Sequence, residues 1–418
     1  MKTVIVNERD STRVPFLRGI LTQTLLDAGM TFDAAFELAT EIRNELADTA
    51  QIAAADLRKL VTRKIEATGD EAVLEHYRAP VTGRSRILVL DRDGATTFFS
   101  RGRHVRLLQA SGMRTSVAEE ITGKIYEQLL ASATESISRV GLGYLTYRCI
   151  LQETGSKAAR RYLVWTQFES GDKPLLLLLG GSVGSGKSTI ATQIAHRLEI
   201  VRTQSTDMLR EVMRMMIPER LLPMLHSSSF EAWRSLPIQD KKDRDTDALV
   251  AEGFRLQAEL LSGPCEAVLQ RAERESVSMI LEGVHALPDL LERTAEDSDA
   301  IVVHTTLAIL QSGELKARLR GRSTQEPKRR AKRYLKNFDS IWSLQSFLLS
   351  EADRYNTPII VNDDIEKAIQ QVVVTTNDEL AKHYQGDAAE TFGDVGREHE
   401  RKKKTQTWQQ LVPSLINK

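Results

Sequence analysis

Short apolar runs separated by longer stretches of helical spacing characterise the chain from residue 175 onward. Five such runs, each of five or six residues, stand at 175–180, 200–204, 277–281, 300–304 and 358–362. Between them, apolar residues recur every three or four positions, which is the spacing of an amphipathic helix. Strands that alternate with helices are typical of a parallel sheet with crossover helices. We therefore predict an α/β domain with a parallel five-stranded sheet and flanking helices.

The first 165 residues carry a different pattern, and that pattern occurs twice. Residues 4–30 and 87–113 align without a gap and share nine identical residues. Each copy reads as a short strand, a turn, a second short strand and a helix. A second amphipathic helix follows at 33–46 and at 116–130. The repeat predicts two copies of one small, mostly helical α+β unit. On these features alone, a helical scaffold without a ligand is the favoured interpretation.

These patterns divide the chain into four predicted segments. They are two repeat units at 1–84 and 85–168, the α/β domain at 172–384, and a C-terminal tail at 385–418. The tail is polar and carries a run of charges, so we predict that it is flexible. The alternative is that its short apolar patch at 407–416 docks on a neighbouring domain or subunit.

Composition excludes several classes of protein. Acidic and basic residues number 57 each, so no net charge attracts nucleic acid or an acidic membrane surface. Two cysteines cannot build a disulfide scaffold or a zinc site by themselves. The N-terminus lacks the apolar segment of a signal peptide, and the longest purely apolar run, 175–179, is far too short to span a membrane. We predict a soluble, cytoplasmic protein with neither nucleic acid nor membrane as a partner.

A phosphate-binding loop follows the first predicted strand of the α/β domain. Residues 181–188 read GSVGSGKS and fit the pattern G-x-x-x-x-G-K-[ST]. Its glycines let backbone N–H groups converge on the β-phosphate, its lysine reaches the β- and γ-phosphates, and its last hydroxyl ligates Mg²⁺. The sequence therefore predicts ATP and Mg²⁺ as ligands, with Ser188 on the metal. The predicted nucleotide-binding residues are Gly181, Gly184, Gly186, Lys187, Ser188 and Thr189.

Motifs that the sequence lacks narrow the class of P-loop protein. It contains no N-K-x-D motif, by which GTPases read guanine. The strand at 277–283 ends in Glu282 and Gly283, where ABC and AAA+ motors have Asp-Glu. The stretch LLSGP lacks the Gly-Gln ending of an ABC signature. A small-molecule kinase remains.

The segment STDMLREVMR (205–214) is the candidate acceptor site, because it follows the second predicted strand. Asp207 is predicted to cap a helix on which Arg210 and Arg214 share its face. A carboxylate beside two guanidiniums suits an acceptor with a hydroxyl to orient and anionic groups to bind. We predict that Asp207 orients or deprotonates that hydroxyl. An exposed, capped helix with ion pairs to Glu211 is the alternative.

Two further side chains follow the strand at 277–281. Glu282 is predicted to hold the hydration shell of Mg²⁺ or to orient the acceptor hydroxyl. His285 stands three residues later, and a histidine in such a place more often makes structural hydrogen bonds than it catalyses. We therefore rank Glu282 as catalytic and His285 second.

A basic cluster occupies residues 314–336, with ten lysines and arginines against two glutamates. Nucleic-acid binding is disfavoured, because Tyr334 is the only aromatic residue available to stack on bases. A solvated helix face accounts for some of these side chains. We favour a kinase lid that closes over ATP and brings arginines to the γ-phosphate. Arg322 and Arg330 are the predicted catalytic members of this lid, and Arg333 is predicted to bind substrate.

Each repeat unit resembles the ATP-cone, a small regulatory nucleotide-binding module. The resemblance rests on a strand, an R-D-G-type turn and a Phe-x-Arg followed by helices; the first copy departs from it, with Ser11 at the turn glycine. In such modules the turn basics and the first helix approach the phosphates. The resemblance thus implies a regulatory nucleotide near Arg9, Arg18, Arg92 and Arg101.

From about residue 175 to 380 the chain resembles the 2-phosphoglycerate kinase family. The resemblance rests on GGSVGSGKSTIA, STDMLREVMR, LLPMLHSSSFEAW, ILEGVHALP and RYLKNFDSIWSLQSFLLSEAD. It implies transfer of the γ-phosphoryl group of ATP to the 3-hydroxyl of 2-phosphoglycerate, giving 2,3-bisphosphoglycerate. The phosphate and carboxylate of that substrate suit Arg210, Arg214 and Arg333, and Ser228 offers a hydroxyl to the same anions.

Two alternatives stay open. The acceptor is an inositol phosphate or another phosphorylated sugar acid, or the chain is a nucleotide-sensing regulator that phosphorylates nothing. A pure sensor has no use for Asp207 with Arg210 and Arg214, which favours the kinase. Tandem cones often lie at subunit contacts, so a homo-oligomer is a further expectation.

Overall fold

The computed structural model describes most of the chain. The described residues are 3–6, 13–28, 30–47, 49–68, 70, 73–74, 77, 87–91, 94–237, 245–290, 299–321, 328–400 and 406–416. The chain divides into two compact units, Met1–Arg86 and Ile87–Lys418. The second repeat unit and the α/β domain therefore fold as one compact unit, and the predicted boundary between them stays a prediction.

The first unit is a three-stranded sheet packed on helices. Its described elements are β1 (Val4–Val6), β2 (Arg13–Pro15), α1 (Arg18–Asp27), α2 (Phe32–Glu45), β3 (Gln51–Ala53) and α3 (Ala54–Thr68). The strand order is β2-β1-β3, with an antiparallel hairpin on one side and a parallel strand on the other. Its core is built from fully buried residues on the three helices, among them Leu25, Ile42, Val61 and Ile65.

The second unit opens with the same arrangement. Its elements are β4 (Leu88–Leu90), β5 (Thr96–Phe98), α4 (Arg101–Ala110), α5 (Thr115–Ala131), β6 (Ser136–Ser138), α6 (Arg139–Glu153) and α7 (Ser156–Glu169). The strand order β5-β4-β6 repeats both the order and the directions of the first sheet. The shared topology supports the predicted repeat and extends it to the third strand, beyond the aligned stretch.

A five-stranded parallel sheet follows, as predicted. The elements are β7 (Leu175–Gly181), α8 (Lys187–Arg197), β8 (Arg202–Ser205), α9 (Thr206–Met216), α10 (Pro223–His226), a 3-10 helix (Ser229–Ser235), α11 (Thr246–Arg274), β9 (Met279–Glu282), β10 (Ile301–Ala308), α12 (Ser312–Gly321), α13 (Lys328–Lys336), α14 (Phe338–Arg354), β11 (Ile359–Val361) and α15 (Ile365–His383). The strand order is β11-β10-β7-β9-β8, and every pairing is parallel. β7 is central and wholly buried, which explains its uninterrupted apolar run.

Two helices of the second unit join the repeat to the sheet. On α15, the Asn377 amide donates to the Ala110 carbonyl of α4 at 2.7 Å. Glu366 of the same helix receives two hydrogen bonds, of 2.7 and 2.6 Å, from Arg197 at the end of α8. These bonds hold the pKa of Glu366 below its usual range. The C-terminal end of α8, the helix that follows the phosphate-binding loop, is therefore anchored beside the second repeat.

The prediction that the C-terminal tail is flexible is wrong, because residues 388–416 contain two packed helices. They are α16 (Ala388–Glu400) and α17 (Trp408–Ile416). Trp408, Leu411 and Leu415 are at most 2% exposed and join the apolar core of the second repeat unit. Their spacing forms an apolar stripe on one helix face, and burying that stripe outweighs the polar composition around it. The docking alternative is the correct one.

Trp408→Ala is expected to lower the free energy of unfolding by about 3–5 kcal/mol, the usual cost of emptying a large buried aromatic site. Chemical denaturation followed by circular dichroism measures this loss. Gln409→Ala is the matched control, because Gln409 is exposed on the same helix. Equal stability of the two variants would show that α17 does not contribute to the core.

None of the helices in the described part of the chain has the length and apolarity needed to cross a bilayer.

Candidate active site

The phosphate loop connects β7 to α8 at the carboxyl edge of the sheet. The predicted nucleotide-binding residues lie at the end of β7, on this loop or in the first turn of α8: Gly181, Gly184, Gly186, Lys187, Ser188 and Thr189. Gly186 has φ +91°, and a Cβ there would stand 2.5 Å from Nδ2 of Asn362. Only glycine fits this position, since both its backbone conformation and the space around it exclude a side chain. The loop is thus shaped to present backbone amides, as phosphate binding requires.

Three side chains converge at the start of α8. Nζ of Lys187 donates to the carbonyl of Ser182 at 2.8 Å, so the ammonium group folds back along the loop. Oγ of Ser188 donates to Oε1 of Glu282 at 3.0 Å. Glu282 ends β9 and is 7% exposed. A hydroxyl and a buried carboxylate are oxygen donors of the kind that Mg²⁺ prefers, so these two residues fit the predicted metal.

The helix cap on the acceptor side differs from the prediction. Ser205, not Asp207, is the N-cap of α9: its backbone is extended, and its hydroxyl accepts a bond from the Asp207 N–H at 3.2 Å. Asp207 therefore stands in the first helical turn, where its carboxylate remains available and favourably placed at the positive end of the helix. Its side chain is 64% exposed.

The predicted partners Arg210 and Arg214 lie on the same helix as Asp207. Nη2 of Arg210 is 3.8 Å from Oδ1 of Asp207, and its Nη1 donates to the carbonyl of Ser227. Nη1 of Arg214 donates to Glu211 at 2.5 Å, the ion pair named as the alternative. In both arginines Nε is buried and has no hydrogen-bond partner in the part of the chain that the structure describes. Buried donors without partners are rare, so these two favour an anionic ligand.

The predicted lid is only partly described. Arg322 lies outside the described residues, and of Arg330 the structure describes the backbone, within α13, but not the side chain. Arg333 forms a two-bond ion pair with Glu231 of the 3-10 helix. The same carboxylate accepts from Arg234 at 2.8 Å. Arg333 therefore fastens α13 to the 3-10 helix, and its role in substrate binding stays a prediction.

Ser228 lies just before the 3-10 helix, and its carbonyl accepts the Glu231 N–H at 2.8 Å.

His285 is 2% exposed, and burial lowers its pKa to about 3, with the charges of Arg210 and Lys187 adding to the effect. It is therefore neutral at physiological pH.

Two residues beside the loop were missed by the sequence analysis. Arg318 of α12 donates to the Asn362 carbonyl and lies beside Gly186. Nδ2 of Asn362 donates to the carbonyl of Ser185 at 2.7 Å. Their positions along the chain could have identified them: Asn362 is the first residue after β11, and Arg318 is on the helix after β10. Both therefore reach the carboxyl edge of the sheet, where ligands of such sheets bind.

The residues implied by the cone resemblance are placed unevenly. Arg9 and Arg92 lie outside the described residues. In the first unit, Arg18 donates to Thr40 at 3.3 Å and stacks on the Phe36 ring. In the second unit, Arg101 lies 4.1 Å over the Tyr126 ring.

A cavity of about 900 Å³ opens in the second unit. It is lined by the second repeat, the C-terminal end of α8 and the start of α16; lining residues include Arg103, His104, Arg139, Trp165, Glu199 and Phe392. His104 is buried, which lowers its pKa to about 4, and Glu169 faces the cavity with its pKa raised by burial. Glu169 is open to the cavity, but the surrounding concave walls remove water from its carboxylate, which raises its pKa. The cavity is of the size that a drug-sized ligand occupies.

Comparison with known proteins settles the family. The 2-phosphoglycerate kinase of Pyrococcus furiosus is 34% identical over 288 residues, which cover 69% of this chain and 92% of the relative. That of Methanopyrus kandleri is 34% identical over 285 residues, or 68% and 85% of the two chains. The chain belongs to the 2-phosphoglycerate kinase family. Membership confirms the predicted class of enzyme, an ATP-dependent small-molecule kinase, with ATP and Mg²⁺ as the ligands that its loop is built to hold.

The similarity to 2-phosphoglycerate kinases is longer than the predicted α/β segment, since 172–384 comprises fewer residues than the 288 matched. Part of the flanking helical segments is therefore shared with the family. No family model matches the chain. Shikimate kinase from Bacteroides thetaiotaomicron, a solved structure, is 17% identical, with a TM-score of 0.23 over 50% of this chain and 97% of that one.

Proposed function

We propose that the protein transfers the γ-phosphoryl group of Mg-ATP to the 3-hydroxyl of 2-phosphoglycerate. The observation that carries the proposal is the pair of buried, unpartnered Nε groups on Arg210 and Arg214, on the helix that follows the strand at the sheet edge. Such donors suit a small acceptor with two anionic groups, and 2-phosphoglycerate has a phosphate and a carboxylate. Family membership supports the same substrate.

The residues divide the chemistry between them. Lys187 and the loop amides hold the β- and γ-phosphates and stabilise the charge that develops on them. Bound Mg²⁺ would supply charge neutralisation between those phosphates, and Ser188 with Glu282 would hold it. Asp207 accepts the proton of the attacking hydroxyl, while Arg210 and Arg214 fix the anionic groups of the acceptor. Positioning and electrostatics thus account for the reaction without a covalent enzyme intermediate.

Release of ADP from Mg-ATP, followed across a panel of acceptors, tests the substrate. The panel holds 2-phosphoglycerate, 3-phosphoglycerate, inositol phosphates and phosphorylated sugar acids, with the Lys187→Ala protein as the blank. We expect kcat/KM to be highest for 2-phosphoglycerate. A higher value for an inositol phosphate would replace the substrate, and tight ATP binding without turnover on any acceptor would favour a nucleotide sensor.

We infer a second function for the cavity of the second repeat unit, which is the binding of a regulatory nucleotide. The observation that favours it is the combination of an aromatic wall, Trp165 with Phe99 and Phe392, and the basic residues Arg103 and Arg139 in one cavity. A planar base stacks on such a wall, and guanidinium groups bind phosphates.

Arg103→Glu in the Lys187→Ala background is expected to remove about one bound nucleotide per chain, because it places a negative charge where a phosphate would lie. Equilibrium dialysis with radiolabelled ATP measures the stoichiometry. Arg114→Glu is the control, since Arg114 is an exposed arginine of the same repeat that does not line the cavity. Equal stoichiometry of the two variants would contradict nucleotide binding in this cavity.

A further inference from the structure

A buried glutamine links the Ser227 carbonyl, which also binds Arg210, to the start of α9. Gln257 lies on α11 and is 0% exposed. Its Nε2 donates to the carbonyls of Met224, at 2.6 Å, and Ser227, at 3.1 Å. Its Oε1 is 2.9 Å from Nε2 of His285. Both amide hydrogens and the amide oxygen are therefore engaged, and each bond reaches a different backbone or side-chain group.

These bonds determine the protonation of His285. Carbonyl oxygens only accept, so the amide nitrogen of Gln257 must face them and its oxygen must accept from His285. His285 then carries its hydrogen on Nε2, and its Nδ1 accepts from Oγ1 of Thr206 at 3.4 Å. The ring is also stacked on Phe254, with the two centroids 5.4 Å apart. One tautomer in one orientation is thus fixed.

The two ends of this chain of bonds lie at the residues that are proposed to handle the acceptor. At one end, the Ser227 carbonyl receives both Gln257 and Nη1 of Arg210. At the other end, Thr206 is wholly buried and directly precedes Asp207. Gly283 lies against Thr206 so closely that a Cβ would stand 1.8 Å from its hydroxyl oxygen. The strand end that carries Glu282 is therefore packed directly on the start of α9.

We propose that Gln257 is a positioning residue for the phosphoryl acceptor. Through the Ser227 carbonyl it fixes the guanidinium group of Arg210, and through His285 and Thr206 it fixes the helix turn that presents Asp207. It does not itself touch the substrate. This inference rests on the proposed function, because it assigns Arg210 and Asp207 to the acceptor.

Gln257→Met removes both donors at nearly constant volume. We expect KM for 2-phosphoglycerate to rise by about tenfold or more, because a misplaced Arg210 loses one charge-assisted hydrogen bond to the acceptor. KM for ATP should change by no more than about twofold, because the bonds of Gln257 do not reach the phosphate loop. Should this variant fail to fold, Gln257→Asn keeps the amide but withdraws it by one methylene, and it carries the same test.

Asn377→Leu is the matched control. Asn377 is also a wholly buried amide that donates to two carbonyls, but it joins α15 to the second repeat. It should lower thermal stability and leave both KM values unchanged. If Gln257→Met raises the two KM values equally, or lowers only kcat in step with the folded fraction, Gln257 is merely structural.

A double-mutant cycle tests whether Gln257 acts through Arg210. Arg210→Lys and Gln257→Met should each raise the acceptor KM, and together they should raise it by less than the product of their separate factors. Multiplicative effects of the two substitutions on the acceptor KM would overturn the proposed route.

The wild-type rate on 2-phosphoglycerate reports separately on the proposed function. If the wild type prefers another phosphorylated acid, the same ratios are measured with that acceptor.

Discussion

Lys187→Ala is expected to lower kcat by at least about 10³-fold, since it removes an ammonium group placed to stabilise charge on the transferring phosphoryl group. Nζ of Lys187 already lies within the loop, 2.8 Å from the Ser182 carbonyl, so the loss is electrostatic and needs no rearrangement of the fold. Steady-state release of ADP with saturating acceptor measures kcat.

Lys173→Ala is the matched control, because Lys173 is an exposed lysine near the opposite end of β7. It should keep wild-type turnover and wild-type thermal stability. A Lys187→Ala enzyme that retained more than a tenth of wild-type kcat would contradict phosphoryl transfer at this loop.

Asp207→Asn is expected to lower kcat by about 10²-fold or more and to leave ATP binding nearly unchanged. The amide keeps the size of the carboxylate but cannot accept the proton of the attacking hydroxyl, and general-base catalysis is commonly worth that factor. The helix should remain intact, because its N-cap is Ser205. The kcat of the variant and its Kd for ATP, from calorimetric titration, separate the two effects.

Glu211→Gln provides the comparison for Asp207→Asn on the same helix. Glu211 is exposed and pairs with Arg214 at 2.5 Å, so its loss should alter the acceptor KM and spare kcat. If Asp207→Asn instead behaved like Glu211→Gln, the role of general base would pass to another carboxylate, with Glu282 the first to examine.

The sequence was sufficient to predict those features that depend on short segments. Each strand of the parallel sheet overlaps a predicted apolar run, and the phosphate loop follows from eight residues whose glycines and lysine have a defined geometric purpose. The repeat was visible because its two copies keep an apolar pattern at the same spacing. In each case the physical requirement is met by residues close together along the chain.

Features that depend on distant partners could not be predicted in this way. Arg333 pairs with Glu231, about a hundred residues earlier, and nothing local distinguishes that arginine from its neighbours in the basic cluster. α17 docks on α6, more than 250 residues away, where Gln406 accepts from Arg148 at 2.8 Å. The N-cap of α9 was assigned two residues late, since Ser205 and Asp207 are equally good caps and only the backbone angles decide between them.

Phosphorus NMR of the reaction with 2-phosphoglycerate and Mg-ATP tests most directly which bond the enzyme forms. We predict that a second phosphomonoester signal, coupled to the C3 protons, grows in step with ADP. The Lys187→Ala protein should give no such signal. Equal amounts of ADP and inorganic phosphate, without a new ester, would show that the enzyme hydrolyses ATP and would contradict the proposed transfer.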